Sequence, residues 1–69
     1  MTLKFLRRRK RLTQSQLANM LHKHKQYVCD LEKGRRDIKR IEAETFVKIS
    51  EILDVSVSDL LNIDHDISE

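Results

Sequence analysis

The segment TQSQLANMLHKHKQYVCDLEKG, residues 13–34, decides the fold because its pattern predicts two short amphipathic helices joined by a three-residue turn. Thr13 and Gln16 have the spacing of a capping box, in which each side chain bonds a backbone N–H at the start of a helix. Apolar residues then follow at helical spacing and predict one buried stripe: Leu17, Ala18 and Leu21. We therefore expect the first helix of the pair to begin at Thr13.

The second helix of the pair is predicted from about Lys25 to Lys33, since Gly34 can adopt the left-handed conformation that ends a helix. At 100° per residue, one face is mainly apolar: His24, Tyr27, Val28 and Leu31. The opposite face is polar and rich in hydrogen-bond donors: Lys25, Gln26, Cys29, Asp30 and Lys33. The residues between the two helices, 22–24, suit a tight turn between crossing helices.

Three further helices are predicted around this pair. The first covers about Leu3 to Lys10, and the fourth covers about Glu42 to Leu53 after a basic loop at residues 35–40. Ser56 and Asp59 resemble another capping box and open a short fifth helix. The fourth helix is expected to bury Phe46, Ile49, Ile52 and Leu53. The predicted fold class is therefore all-α, a compact domain of five helices.

The composition agrees with one small helical domain. The chain has 69 residues, of which 39% are hydrophobic, so there is room for a single core. Proline is absent and glycine occurs once, which argues against a turn-rich β-sandwich. We expect the domain to cover residues 1–62, followed by an acidic tail at residues 63–69 that frays.

The same composition bears on location. No apolar run is long enough to span a membrane, and no apolar stretch follows the basic residues 7–11 as it would in a signal peptide. A single cysteine cannot form an internal disulfide, which fits a reducing compartment. A soluble cytoplasmic protein is expected.

The charge is distributed unevenly along the chain. Residues 1–40 carry thirteen lysines and arginines against three acids, whereas residues 41–69 carry one lysine against eight acids. A fold that keeps these halves apart has a cationic face and an anionic face. Such a cationic excess indicates a polyanionic partner, for which nucleic acid is the first candidate.

Five short motifs give the pattern a family resemblance, and they occur in this order: Leu6-Arg7, Leu12-Thr13-Gln14, Leu17-Ala18, Leu31-Glu32-Lys33-Gly34 and Ile52-Leu53-Asp54-Val55-Ser56. Their order and spacing resemble the phage-repressor-like (Cro/repressor, Xre) helix-turn-helix family over residues 3–61. His22 stands where that family usually has glycine, so a positive φ is expected there. The resemblance implies a lambda-repressor-like domain.

The resemblance also implies a function and a partner. Such proteins are sequence-specific double-stranded DNA-binding transcription regulators, here expected to be a repressor in the bacterial cytoplasm or nucleoid. The helix at about residues 25–33 would contact base edges in the major groove. No enzymatic activity, cofactor or metal is expected.

The resemblance assigns roles to Gln14 and to the polar residues of the third helix, and the charge of the loop after Gly34, which looks about three residues longer than is usual in the family, adds candidate phosphate contacts. Base contacts are expected from Lys25, Gln26, Cys29 and Asp30. Contacts to the DNA backbone are expected from Gln14 and Tyr27 and from five cations: Lys33, Arg35, Arg36, Lys39 and Arg40. Two or three of these five cations are expected to reach phosphates. Lysine can donate to guanine, and glutamine can pair bidentately with adenine. Arg7 and Glu32 are expected to form a structural ion pair between the first and third helices.

A symmetric homodimer on an inverted repeat is expected, because a single recognition helix contacts too few base pairs to specify a genomic site. The last helix and its flanks offer the interface: Val57, Leu60, Leu61 and Ile63. The opposite possibility is that Val57, Leu60 and Leu61 all belong to the core of the monomer.

Two other functional classes remain open from the sequence. The acidic second half suits an antitoxin or another protein-interaction module with a basic partner, and a purely structural helical bundle is the third possibility. A zinc site at His22, His24 and Cys29 is disfavoured because the spacing matches no common ligand set and a fourth ligand is missing.

Overall fold

The computed structural model describes residues 1–64, which form five α-helices and one short 3₁₀ helix. The α-helices are α1 (Leu3–Arg9), α2 (Gln14–Met20), α3 (Lys25–Lys33), α4 (Ala43–Leu53) and α5 (Val57–Leu61). The predicted all-α fold class is confirmed. None of these helices is long and apolar enough to cross a membrane.

Hydroxyl side chains begin three of the helices. Thr13 Oγ1 accepts the N–H of Gln16 at 3.0 Å, and the Gln16 side chain accepts the N–H of Thr13 at 2.8 Å, so the predicted capping box is present. Thr2 and Ser56 cap α1 and α5 in the same way, each with one bond of 3.0 Å. These caps satisfy N–H groups that have no partner inside a helix.

Left-handed residues set the ends of the helix pair. Gly34 follows α3 at φ 79°, as predicted, and its lack of a Cβ makes that conformation inexpensive. His22 lies in the turn after α2 at φ 58°, which confirms the positive φ expected at this position. Together they fix the turn between α2 and α3 and the exit of the chain from α3.

One continuous core holds the helices together. α2 packs on α3, α1 also contacts α3, and α4 contacts α5. The buried apolar residues are Leu3, Leu6, Leu17, Ala18, Leu21, Val28, Leu31, Ile38, Phe46, Ile49, Leu53 and Leu60. α3 is thus held on its inner side by two helices, while its outer side is left to solvent.

Three residues of the predicted apolar faces lie elsewhere. His24 is exposed because it precedes α3 with an extended backbone, so the helical wheel that placed it inside does not apply. Tyr27 and Ile52 are half-buried and pack against the edge of the core. Fewer side chains at α3 and α4 are therefore fully buried than the sequence pattern predicted.

The basic loop after Gly34 contains a structural anchor that no periodicity in the sequence indicates. Asp37 Oδ1 accepts the N–H of Lys39 at 2.9 Å and opens the 3₁₀ helix Ile38–Arg40. Ile38 is only 4% exposed and belongs to the core. This buried side chain ties a segment of exposed cations to the body of the domain.

The expected dimer surface on α5 needs one correction. Leu60 is fully buried in the core and is not available to a partner, because its side of the helix faces the rest of the domain. Val57 and Leu61, four residues apart, are 45% and 40% exposed. Ile63 is partly buried against the core.

The start of the expected C-terminal tail contacts the N-terminal segment. The N–H of Asp64 donates to the carbonyl of Met1 at 2.8 Å, and Thr2 and Asp64 form an isolated parallel bridge. Residues 63 and 64 are therefore held against the domain, whereas fraying was expected to begin at residue 63. The rest of the expected tail, residues 65–69, lies outside the described residues.

Candidate nucleic-acid interface

The outer side of α3 presents the donor-rich surface that the sequence predicted. Lys25, Gln26 and Lys33 are exposed, and Cys29 and Asp30 are half-buried beside them. The opposite side of the helix carries Val28, Leu31 and Glu32, all of which are buried. The five polar positions thus share one face of a helix whose other face is fixed in the domain.

A buried ion pair fixes the orientation of α3. Arg7 Nε donates to Glu32 Oε2 at 2.6 Å, and Arg7 Nη2 donates to Glu32 Oε1 at 3.3 Å. Arg7 Nη1 also donates to the carbonyl of Leu12 at 2.8 Å. The pair expected between α1 and α3 is therefore present, and its fork geometry restricts both the distance and the rotation between the helices.

Gln14 joins this network. Its amide nitrogen donates to Glu32 Oε1 at 3.0 Å, so the side chain expected to contact DNA phosphate is bonded within the protein. The bond connects the first residue of α2 to α3. Gln14 therefore has a structural role in this conformation, and a phosphate contact by the same N–H would have to replace Glu32.

Gln26 and Asp30 are also bonded to each other. Gln26 Nε2 donates to Asp30 Oδ1 at 2.8 Å along the exposed side of α3. Arg35 Nη1 lies 3.9 Å from the same carboxylate oxygen, and the backbone carbonyl of Asp30 accepts the N–H groups of Arg35 and Arg36. Two of the expected base-contacting residues thus form one unit on the exposed side of α3.

Tyr27 lies between two cations. The Lys23 ammonium lies 5.1 Å from the centre of the ring, and the Arg36 guanidinium carbon lies 4.6 Å from it. The Tyr27 hydroxyl is buried without a hydrogen-bond partner. Desolvation, followed by the nearby charge of Glu42, raises the pKa of the Tyr27 hydroxyl. The Tyr27 hydroxyl, which was expected near the DNA backbone, is therefore enclosed in the protein. The cationic groups of Lys23 and Arg36 lie over the Tyr27 ring.

The turn and α4 are linked by a second ion pair. Lys23 Nζ donates to Glu42 Oε2 at 3.2 Å. Hydrogen bonds from the Glu42 backbone and from Lys23 hold the pKa of the Glu42 carboxyl below its usual value. Because Lys23 belongs to the turn before α3 and Glu42 precedes α4, this pair links the turn to the start of α4.

All five expected phosphate-contacting cations are exposed: Lys33, Arg35, Arg36, Lys39 and Arg40. Arg40 lies 4.0 Å from Asp37, and Arg35 lies 3.9 Å from Asp30. Exposed ion pairs contribute only about 0–1 kcal/mol, so these partners do not prevent a phosphate contact. The loop supplies a cationic edge beside the C-terminal end of α3.

A second basic surface borders the other end of α3 and was not predicted. It is a shallow concavity lined by Lys4, Arg7, Arg8, Arg11, Leu12, Thr13, Gln14, Ser15 and Lys25. Arg8 and Arg11 had no expected role, although both are exposed. The sequence feature that could have predicted this surface is the four-residue spacing of Lys4 and Arg8, which places both on one side of α1. Cations therefore border α3 at both ends.

The residues considered as zinc ligands do not form a cluster of three or more possible ligands in the described part of the chain. His22 and His24 are exposed, and no group of three or more His, Cys, Asp or Glu side chains within residues 1–64 is arranged to hold a metal ion. The polar groups around α3 are instead donors and cations on an open surface. That arrangement suits recognition of a large anionic partner.

Comparison with known protein families agrees with this geometry. A helix-turn-helix family model matches residues 3–60, so the chain belongs to the helix-turn-helix family. The resemblance to phage-repressor-like members of that family is confirmed. No curated protein sequence matches the chain significantly.

Two solved structures are similar over most of the domain. The clp gene regulator ClgR from C. glutamicum has a TM-score of 0.69 and 29% identity, over 86% of this chain and 73% of that one. The N-terminal DNA-binding domain of the biofilm regulator SinR from Bacillus subtilis has a TM-score of 0.67 and 29% identity. That match covers 96% of this chain and 93% of the other.

Proposed function

We propose that this chain is a sequence-specific double-stranded DNA-binding transcription regulator that acts as a repressor and contacts bases in the major groove with α3. The observation that carries the proposal is the exposed donor face of α3, bordered by cations at both ends and held in orientation by Arg7 and Glu32. The names of the two similar structures, a gene regulator and a DNA-binding domain, support it. The proposal assigns neither a catalytic residue nor a cofactor.

Lys25 and Gln26 are the leading candidates for direct base contact. Both are exposed at the start of α3, the part of a recognition helix that enters the major groove first. Cys29 and Asp30 lie one turn further along the same face. Lysine donates to guanine O6 or N7, and the glutamine amide can pair with adenine N6 and N7.

Replacing Gln26 with alanine is expected to weaken binding to the preferred duplex by about 1–3 kcal/mol, with a relaxed preference at one base pair. Affinity for random duplex should change little, because the side chain carries no charge. Fluorescence anisotropy titrations of preferred and random duplexes measure both effects. Equal losses on the two duplexes would show that Gln26 does not contact a base.

Cations of the loop after Gly34 are proposed to hold the DNA backbone. Lys39→Ala is expected to weaken binding to all duplexes alike and to reduce the slope of log affinity against log salt by about 0.9, one phosphate contact. Lys48, an exposed lysine on α4, provides the matched control. An unchanged salt slope for Lys39→Ala, or the same change for Lys48→Ala, would remove Lys39 from the interface.

The proposed functional unit is a homodimer on an inverted repeat, with half-sites about 34 Å apart. Its interface is revised to Val57, Leu61 and Ile63, since Leu60 belongs to the core. The exposed pair on α5 lies on the acidic part of the chain, so dimerisation there would leave the cationic surfaces to DNA.

Sedimentation velocity with an inverted-repeat duplex tests the dimer. Two chains per duplex are expected, and Leu61→Asp should abolish the second binding step by placing a charge in an apolar contact. Val47→Asp on α4 is the control, because Val47 is exposed to a similar degree. Saturation at one chain per duplex would contradict the dimer, and loss of the second step with Val47→Asp instead would contradict its position.

A further inference from the structure

The bond between Gln26 and Asp30 bears on which base the domain selects. Gln26 Nε2 donates one of its two hydrogens to Asp30 Oδ1 at 2.8 Å. The carboxylate can only accept, so the nitrogen end of the amide must face it. A rotation of the amide by 180° would place two acceptors opposite each other with no proton between them. Asp30 therefore fixes the orientation of the Gln26 amide, with its nitrogen toward the carboxylate.

We propose that Asp30 is a positioning residue that sets the Gln26 amide for adenine, rather than a residue that contacts a base itself. This inference rests on the proposed function, since it names the base that the same face of α3 selects. With one N–H held by Asp30, Gln26 offers one acceptor oxygen and one remaining donor. Adenine alone presents the complementary pair in the major groove, the N6 donor and the N7 acceptor, whereas guanine presents two acceptors.

The surroundings of Asp30 favour this positioning role over direct contact. Its side chain is only 25% exposed, and Oδ1 both accepts from Gln26 and lies 3.9 Å from Arg35 Nη1. A carboxylate that approached the base edges would also approach the phosphates, which repel it. In the present position of Asp30, the Arg35 guanidinium offsets the negative charge of the carboxylate. This interaction stabilises the carboxylate beside Gln26.

Holding the amide in place also lowers the cost of binding. A free glutamine side chain loses rotamer freedom when it pairs with a base. Because Gln26 is exposed and is already bonded at its nitrogen, part of that freedom is lost in the unbound protein. Asp30 should therefore influence base preference at the position that Gln26 contacts and at no other.

The test is a base scan of the selected duplex with four proteins: the natural chain, Asp30→Asn, Gln26→Ala and the double variant. The position at which Gln26→Ala loses preference defines its base pair. We expect adenine there, with a preference over guanine on the order of tenfold in the natural chain. Asp30→Asn should reduce that ratio to about twofold, because an asparagine amide accepts either orientation of Gln26.

The double variant separates positioning from direct contact. In the Gln26→Ala background, Asp30→Asn should have no effect on base preference at any position. Lys39→Ala is the matched control, and it should lower affinity for all duplexes without changing the adenine-to-guanine ratio. Thermal melting of each variant within a few degrees of the natural chain establishes that the fold is intact, and Asp30→Ala provides a second variant.

Three results would overturn the inference. One is a base other than adenine at the Gln26 position, and another is an unchanged ratio in both Asp30 variants. The third is an Asp30 effect at a separate base pair that persists without Gln26, which would make Asp30 a direct contact. Failure of the proposed function itself looks different, because the natural chain would then bind no duplex with preference.

Discussion

Arg7→Ala is expected to lower the free energy of unfolding by about 3–5 kcal/mol, because it leaves Glu32 as an unpaired buried charge. Glu32 is 4% exposed, and Gln14 alone cannot neutralise it. A domain of this size has a total stability of only about 5 kcal/mol, so most of it would be lost. Thermal and urea unfolding followed by circular dichroism measure the change.

Arg8→Ala is the matched control for this prediction. Arg8 is the next residue of α1 and is exposed, so its removal should change the unfolding free energy by less than about 0.5 kcal/mol. Equal melting temperatures for the two variants would show that the buried pair does not stabilise the domain. Glu32→Gln should be destabilising as well, since it leaves the Arg7 charge without a carboxylate.

Leu60→Ala is expected to cost about 2–5 kcal/mol of unfolding free energy, the usual range for truncating a fully buried leucine. Leu60 is the one fully buried residue of α5, so its loss should detach this helix from α4. Urea unfolding of the monomer at low protein concentration measures the effect. The loss of unfolding free energy in Leu60→Ala should depend little on salt concentration, since the substitution alters no charge.

The neighbouring residue supplies the comparison. Leu61 is 40% exposed, so Leu61→Ala should cost less than about 1 kcal/mol in the monomer. Comparing the stability of Leu60→Ala and Leu61→Ala therefore distinguishes a core residue from a surface residue on the same helix. A larger loss for Leu61→Ala than for Leu60→Ala would contradict the placement of α5.

Much of the fold could be predicted because its signals are local. The capping box of Thr13 and Gln16 and the left-handed Gly34 involve neighbouring residues, so their spacing alone reveals them. Apolar periodicity then gave the remaining helices. His24 was misplaced because helical periodicity was extended to a residue whose backbone is not helical.

The features that were missed depend on the tertiary arrangement. Ile38 lies in a loop without periodicity, and only the packed domain shows that it is buried. Which side of α5 faces the core could not be decided over five residues, so Leu60 was assigned to the interface. The hydroxyl of Tyr27 is enclosed only in the packed domain, in which the loop also places Arg36 over the ring.

The candidate site shows the same division. The five polar positions of α3 share a face by helical geometry, which made them visible in the sequence. The side-chain partners of Gln14 and Gln26 were not visible, because an amide can bond in several directions and the packed structure selects one. Sequence spacing thus located the surface, whereas the structure gave the state of its side chains.

The most direct test of DNA-specific binding is an anisotropy titration with a duplex selected from a random pool, compared with a shuffled duplex of equal length. The proposal predicts that the selected duplex binds on the order of 10³-fold tighter at physiological salt, and that both affinities fall as salt rises. Equal affinity for the two duplexes, or no binding to either at low salt, would contradict it.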